Sequence, residues 1–269
     1  MGMAGLILVC LFVLMAIFAP LLADPRGLQE AFATGKPFDP PSLQYPLGTD
    51  AFGRSVLTLT IWGSRASLLV GFAATAMAAL IGASVGLAAG FLGGRTDTVL
   101  NSVTNWFLVL PWIPLAIALA SVMGGSLLTV IIVIGVTSWA STSRLVRAQA
   151  LSVKQRPYVE RARALGASQW RVANRHVLPN LMPIIIANTV LAVSVAILSE
   201  TTLSILGLGD PSTVSWGTII EEAFNHGAIT TGAWWWLTPP GIAIILVVLG
   251  FTMCGYALEE ILNPKLRAR

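Results

Sequence analysis

The chain has 269 residues, 55% of them hydrophobic, and its 16 Lys and Arg and 12 Asp and Glu make up only 10% of it; the mean hydropathy is +0.79. A soluble globular chain carries about 25% charge, so this one cannot cover a water-facing surface of its own size. A soluble enzyme, a disordered tail and a fibrous repeat are excluded, which leaves an all-α, polytopic membrane protein.

Residues 1–23, 66–94, 98–143, 176–199 and 227–258 contain no Asp, Glu, Lys or Arg, and spanning takes about 20 apolar residues. The first span runs from about Met3 to Ala23. It lacks a basic start and is too long for the apolar centre of a signal peptide, so it reads as a retained helix. Residues 24–63 are rich in Pro, Gly and Asp and read as an extended segment outside the membrane. The second span runs from about Ser64 to Leu92, and in it Gly82, Gly86 and Gly90 recur every four residues. That spacing favours close helix packing over a pore lining.

The stretch 98–143 would be about 69 Å long as one helix at 1.5 Å per residue, twice what a bilayer needs. It must fold back, and Met123-Gly124-Gly125-Ser126 is the natural turn. Pro111 and Pro114 should kink the third helix or end a regular turn, and a kink there can serve a gate. A fifth span runs from about Leu181 to Leu206 and a sixth from about Thr238 to Tyr256. Trp234-Trp235-Trp236 precede the sixth and read as an interfacial anchor. Cys10 and Cys254 both fall in apolar stretches and read as small buried residues. Arg65 and Asp97 read as span-end markers, and His226 as a solvent-exposed residue.

Eight of the 16 basic residues lie between Arg144 and Arg175 against one acid, Glu160, and three more, Lys265, Arg267 and Arg269, follow the last span. The excess of Lys and Arg places these segments in the cytoplasm, and six spans put both termini there. The chain thus divides into 1–63, a first helix with an extracytoplasmic segment, and 64–269, a five-helix core with a cytoplasmic loop at 144–180.

That loop is too patterned for a connector. Pro157 suits a first helical turn, the residues to Leu165 are helix-forming, Gly166 permits a close approach or chain reversal, and Ser168 is a candidate cap for a second short helix. Two simple readings exist: an amphipathic helix on anionic lipid, or a plain positive-inside loop. The spacing separates them. Glu160, Ala162, Gly166, nine residues, then His176-Val177-Leu178-Pro179 resembles the Glu-Ala-Ala loop of ABC importer permeases, with Arg161 in place of the first Ala and His176 at an aliphatic position. Tyr158–Asn180 is similar to the dipeptide, oligopeptide and nickel branch of that family. So are Tyr45-Pro46-Leu47-Gly48-Thr49-Asp50 with Gly53-Arg54, Ser204-Ile205-Leu206-Gly207-Leu208-Gly209, Ser215-Trp216-Gly217 and Asn263-Pro264-Lys265-Leu266-Arg267. The resemblance covers about residues 4–267 and is to the shorter, C-type permease of each pair.

The resemblance implies a six-helix type I ABC importer permease in a bacterial plasma membrane. Its partners would be a homologous second permease, two ATPase subunits or domains, an extracytoplasmic substrate-binding protein and the lipid bilayer, with no nucleic acid among them. It implies a coupling role for Glu160, Arg161, Ala162, Ala164, Leu165, Gly166 and Trp170. The small residues would seat the loop in an ATPase groove, Glu160 and its basic neighbours would make polar contacts there, and Trp170 would anchor either that interface or the membrane surface.

The chain itself has no phosphate-binding loop, no paired carboxylates in a plausible pocket and no His or Cys cluster. No catalytic residue, metal site or cofactor is therefore expected in it, and ATP and Mg belong to partner subunits. Glu200 interrupts the fifth span, and an acid at membrane depth is a functional candidate by default. With Pro111 it is a candidate for gating or the translocation path, although Gly207, seven residues on, puts it near the external surface. Di- or oligopeptides are the expected cargo. A nickel chelate or haem is the alternative, and an ion-coupled secondary transporter, which needs several membrane acids, is the rival class.

Overall fold

The computed structural model describes residues 1–262, which form ten α-helices, α1 to α10, and no extended strand. The Asn263–Arg267 motif and the three C-terminal basic residues lie outside the described residues. Helix α1 (Gly2–Leu22) is followed by an extended segment with two single turns of tighter helix. The helix α2 (Val56–Leu92) starts eight residues before the expected Ser64, because Ser55 accepts a hydrogen bond from Thr58 N and caps it. At 37 residues it is about 55 Å long and extends beyond the roughly 30 Å hydrocarbon layer. Arg65 consequently sits inside the helix, its guanidinium 5.2 Å from the ring centroid of Trp62, and does not mark an end.

Helices α3 (Gly94–Val109) and α4 (Trp112–Met123) together make the third expected span, but the chain bends by 93° between them. The cause lies in Pro111, which has no N–H to donate and forces Leu110 into an extended conformation (ψ 132°). Pro114 is accommodated in the first turn of α4, where its missing N–H costs nothing. After the Gly124-Gly125 turn, α5 runs from Leu127 to Val153, ten residues further than the last uncharged position. Arg147 is therefore helical, and it grips Asp97 with two parallel hydrogen bonds of 2.6 and 2.8 Å.

Helices α6 (Pro157–Ala164) and α7 (Gln169–Val172) form the loop, and a wide turn at Ala173–Val177 leads into α8 (Leu178–Ile205). A further short helix, α9 (Trp216–Asn225), precedes α10 (Trp234–Leu262). Five helical runs are long and apolar enough to cross a membrane: α1, α2, α5, the run Gln169–Ile205 and α10; the bent α3–α4 pair brings the number to six.

Helix α2 is the central element, packed along α5 and against α8, while α10 joins α8 to α1. Gly82, Gly86 and Gly90 bring α2 and α5 into backbone contact. A Cβ at Gly82 would lie 2.6 Å from Trp139 O, one at Gly90 2.7 Å from Arg147 O, and one at Gly86 against Ser143 O and 2.9 Å from Val146 Cβ. The Trp triplet divides. Trp236 is fully buried and Trp235 donates to Thr49 O at 3.1 Å, so of the three only Trp234, 62% exposed, is free to act as an interfacial anchor. Cys10 is exposed on α1 and Cys254 half-buried on α10, so neither is a buried core residue. Because backbone cannot yield as a side chain can, Gly86→Leu is expected to cost at least about 1–3 kcal/mol, read as a lower unfolding midpoint in mild detergent.

Candidate functional site

The loop is a two-faced wedge under the bundle. Val159, Val172 and Val177 are buried against Phe91 of α2, Val146, Ala150 and Val153 of α5, and Leu181 and Ile185 of α8. Lys154 closes the end of α2 by donating to Gly90 O at 2.9 Å. Helix α6 starts on Pro157 and stops at Gly166, whose φ of +83° is the left-handed cap. The reversal is closed by Gly166 N donating to Arg163 O at 2.9 Å and Ala167 N donating to Ala162 O at 3.1 Å. Ser168 then caps α7.

Of the candidate coupling residues, Glu160, Arg161, Ala164, Leu165, Gly166 and Trp170 are exposed together on the outer face. Leu165 is 88% exposed and Trp170 76%. Ala162 differs from its neighbours, since it is half-buried and packs inward on the valine cluster. The outer face thus exposes an apolar tip, Leu165 and Trp170, together with Arg161, Arg171 and Arg175, while Arg163 lays its guanidinium 5.2 Å from the ring of Phe91.

Glu200 lies at the other end of α8 and is 2% exposed. Its Oε1 accepts from Ser215 Oγ at 2.6 Å and Ser204 Oγ at 3.0 Å, and its Oε2 from Ser67 Oγ at 3.3 Å. Ser67 Oγ in turn accepts from Trp216 N at 3.1 Å, and the Trp216 indole donates to Thr60 O at 2.9 Å. One carboxyl group therefore joins α2, α8 and the start of α9. Pro111, at the α3–α4 break, makes none of the hydrogen bonds of this cluster.

The extended segment between α1 and α2 carries a second buried polar cluster that no sequence pattern identified as one. Asp50 Oδ1 accepts from Phe52 N and Arg54 N, both at 2.8 Å, and Asp50 Oδ2 pairs with Arg54 Nε at 2.5 Å. Arg54 also reaches Glu222 of α9 at 2.6 Å. Thr49 Oγ1 donates to Lys36 O at 2.6 Å and accepts from Asp39 N at 2.8 Å. The Gly48-Thr49-Asp50…Arg54 stretch is a clasp that fastens the extended segment to α9 and α10. Near it, Asp210 accepts from Leu127 N at the start of α5, from Ser212 N and Oγ, and from Thr213 Oγ1. Burial works to raise the Asp210 carboxyl, but these hydrogen bonds outweigh it and hold the group below its usual range. His226 is exposed, with its ring 4.8 Å from that of Phe52. No group of three or more His, Cys, Asp or Glu side chains is placed to hold a metal ion among the described residues.

Two family descriptions match this chain: binding-protein-dependent transport system inner membrane component, over residues 82–268, and N-terminal TM domain of oligopeptide transport permease C, over residues 1–45. A dipeptide transport system permease protein of Bacillus subtilis is 36% identical over 268 residues, 99% of this chain and 82% of its own length. The oligopeptide transport system permease protein of the same organism is 36% identical over 269 residues, 99% and 86% of the two chains. A di/tripeptide transport system permease protein of Pseudomonas aeruginosa is 34% identical over 271 residues, 99% and 88%.

Two outcomes follow, one from the clasp and one from the Asp210 cluster. Arg54→Ala leaves Asp50 buried without its partner and is expected to cost about 3–5 kcal/mol, read as lost membrane abundance or a lowered unfolding midpoint. For Asp210, a lowered folded-state value means its stabilising effect is present above the ordinary carboxylate range and lost as pH falls through that lower value. Asp210→Asn should therefore be less stable than the parent at neutral pH, and a pH series of unfolding midpoints should show the gap closing in acid.

Proposed function

The chain belongs to the family of binding-protein-dependent transport system inner membrane components, with the type I importer permease fold, and we propose that it is the C-type membrane subunit of an ATP-driven importer of di- or oligopeptides. Permeases named for dipeptide, oligopeptide and di/tripeptide transport, matched over nearly the whole chain, support that cargo. The observation that carries the mechanism is the loop: an exposed apolar and basic tip on a base wedged between α2, α5 and α8.

In this reading the loop docks on an ATPase subunit or domain in the cytoplasm. Leu165 and Trp170 enter a groove there, Glu160, Arg161 and the other arginines ring it with polar contacts, and Ala164 and Gly166 allow the close approach. Both termini are cytoplasmic, and the membrane is the bacterial plasma membrane. A homologous permease supplies the other half of the path, and an extracytoplasmic binding protein delivers the peptide. ATP and Mg act in two partner ATPases. ATP binding closes those ATPases and pushes the loops, and the paired bundles open outward to take the peptide; hydrolysis resets them. Glu200 holds the external end of α8 to α2 and α9, so it acts as a gate fastening and not as a cargo contact. Pro111 sets the bend in α3–α4 beside the path.

The experiment is purification in mild detergent through a tag on this chain, co-expressed with its neighbouring genes. Stoichiometric ATPase chains, with hydrolysis stimulated by the peptide-loaded binding protein, are expected. A folded chain that elutes alone, with uptake indifferent to ATP depletion, would sink the reading. Docking is tested by Gly166→Leu beside Gly166→Ala. Both strain the left-handed position, at about 1–2 kcal/mol, and no atom of this chain lies within 4 Å of the added Cβ. Only Leu adds bulk toward a partner, so it should abolish uptake at normal membrane abundance while Ala retains most of it.

A further inference from the structure

A cavity of about 190 Å³ opens midway along the bundle between α2, α5 and α8, well above the roughly 10–15 Å³ that admits one water. Its polar lining is Thr75 of α2, Ser138, Ser141 and Thr142 of α5, and Asn188 and Thr189 of α8; the rest is mainly alanine, and no charged residue contributes. Thr75, Ser138 to Thr142, and Asn188 each stand near the middle of their helices, so the hydroxyls and the carboxamide form one belt near mid-membrane.

Thr75 is the informative member. A threonine in a membrane helix ordinarily returns its hydroxyl hydrogen to a carbonyl one turn back, and Thr60, Thr104, Thr137, Thr189 and Thr201 all do so here. Thr75 Oγ1 is buried, the residue 3% exposed, and has no hydrogen-bond partner among the described residues. A buried hydroxyl left unpaired is costly, more so where no lipid group can serve it. Nearby, Asn188 donates to Thr142 Oγ1 at 3.1 Å, and both residues line the cavity. Ser138 is half-buried and Ser141 exposed at the rim. Polar side chains at membrane depth face a bundle interior or a watery path, not lipid.

We propose that this belt is one wall of a contact for the peptide in transit, binding its backbone amide and carbonyl groups. The proposal rests on the peptide reading above and adds where and how the cargo is held. Hydroxyls and a carboxamide both donate and accept, so they match a peptide unit in either direction. A wall without charge favours neither acidic nor basic side chains. A few neutral hydrogen bonds also hold weakly enough to release, as conduction requires.

The test uses the whole importer in proteoliposomes, with peptide uptake by the unmodified complex measured first. Thr75→Val keeps shape and removes the hydroxyl; uptake at low peptide should fall about fivefold, the worth of one hydrogen bond, and Thr75→Ser should restore it. A merely structural Thr75 predicts the reverse, since removing an unpaired buried hydroxyl stabilises the fold and leaves uptake unchanged. In a chain carrying Cys10→Ala and Cys254→Ala, Ser138→Cys should react with a membrane-impermeant cationic thiol reagent, and reaction should slow when peptide-loaded binding protein and ATP drive turnover. With peptide uptake intact, an unreactive thiol at 138 or an unaffected Thr75→Val overturns this pocket alone. No peptide uptake by the unmodified importer overturns the cargo class, and with it the peptide assignment of the pocket.

Discussion

A carboxyl group withdrawn from water must have its hydrogen bonds supplied by the protein, and Glu200 draws them from three places at once. Ser204 is one turn along its own helix, while Ser67 and Ser215 come from α2 and from the cap of α9. Ser67 also holds Trp216 N, so the start of α9 is set by the same node. Helix α9 then presents Glu222 to Arg54, and Arg54 orders Asp50 and the extended segment around it. This half of the molecule is thus a chain of dependence that begins with one buried acid, and the bulky Trp216 and Ile219 beside it close the apolar core over that acid.

The end that carries the loop is organised on the opposite principle. There the buried side is apolar, three valines against the ends of α2, α5 and α8, and the polar and aromatic groups face outward. A polar clasp holds one geometry because each bond has a direction. An apolar wedge is held by area and tolerates sliding, while still pushing on all three helices it touches. On the proposed reading, the Glu200 end is suited to latch and the loop end to transmit.

The spans were legible because lipid forbids charge, and the uncharged stretches could be counted. Their ends were not, because charge is a poor punctuation mark where it finds a local partner. Arg65 lies against Trp62 well inside α2, and Arg147 and Asp97 neutralise each other across α3 and α5, so both helices run past residues that read as ends. The loop was legible in its turn chemistry, Pro157, Gly166 and Ser168, but not in its faces; Ala162 turned inward because the valine cluster needed a small residue there. Glu200 stood out as an acid in an apolar run, whereas Ser67, 133 residues away, looked like any small helical residue. The Trp triplet read as one anchor, yet successive residues on a helix point about 100° apart, so three adjacent indoles cannot share one environment.

Helix α8 links these ends. Leu181 and Ile185 rest on the loop's valines, Asn188 and Thr189 line the mid-membrane cavity, and Glu200 sits in the external node. Facing it, α2 and α5 touch backbone to backbone along Gly82, Gly86 and Gly90 and cannot slide without lifting over carbonyl groups. The cavity therefore has one rigid wall, from α2 and α5, and one wall on a helix that answers to the loop below and the carboxyl node above. A displacement of α8 of even an ångström changes the spacing between Asn188 and Thr75 by a large fraction of a hydrogen-bond length. On the proposed reading, grip on the cargo is coupled to the ATPase cycle through the position of this single helix, without any side chain in the cavity having to change its charge.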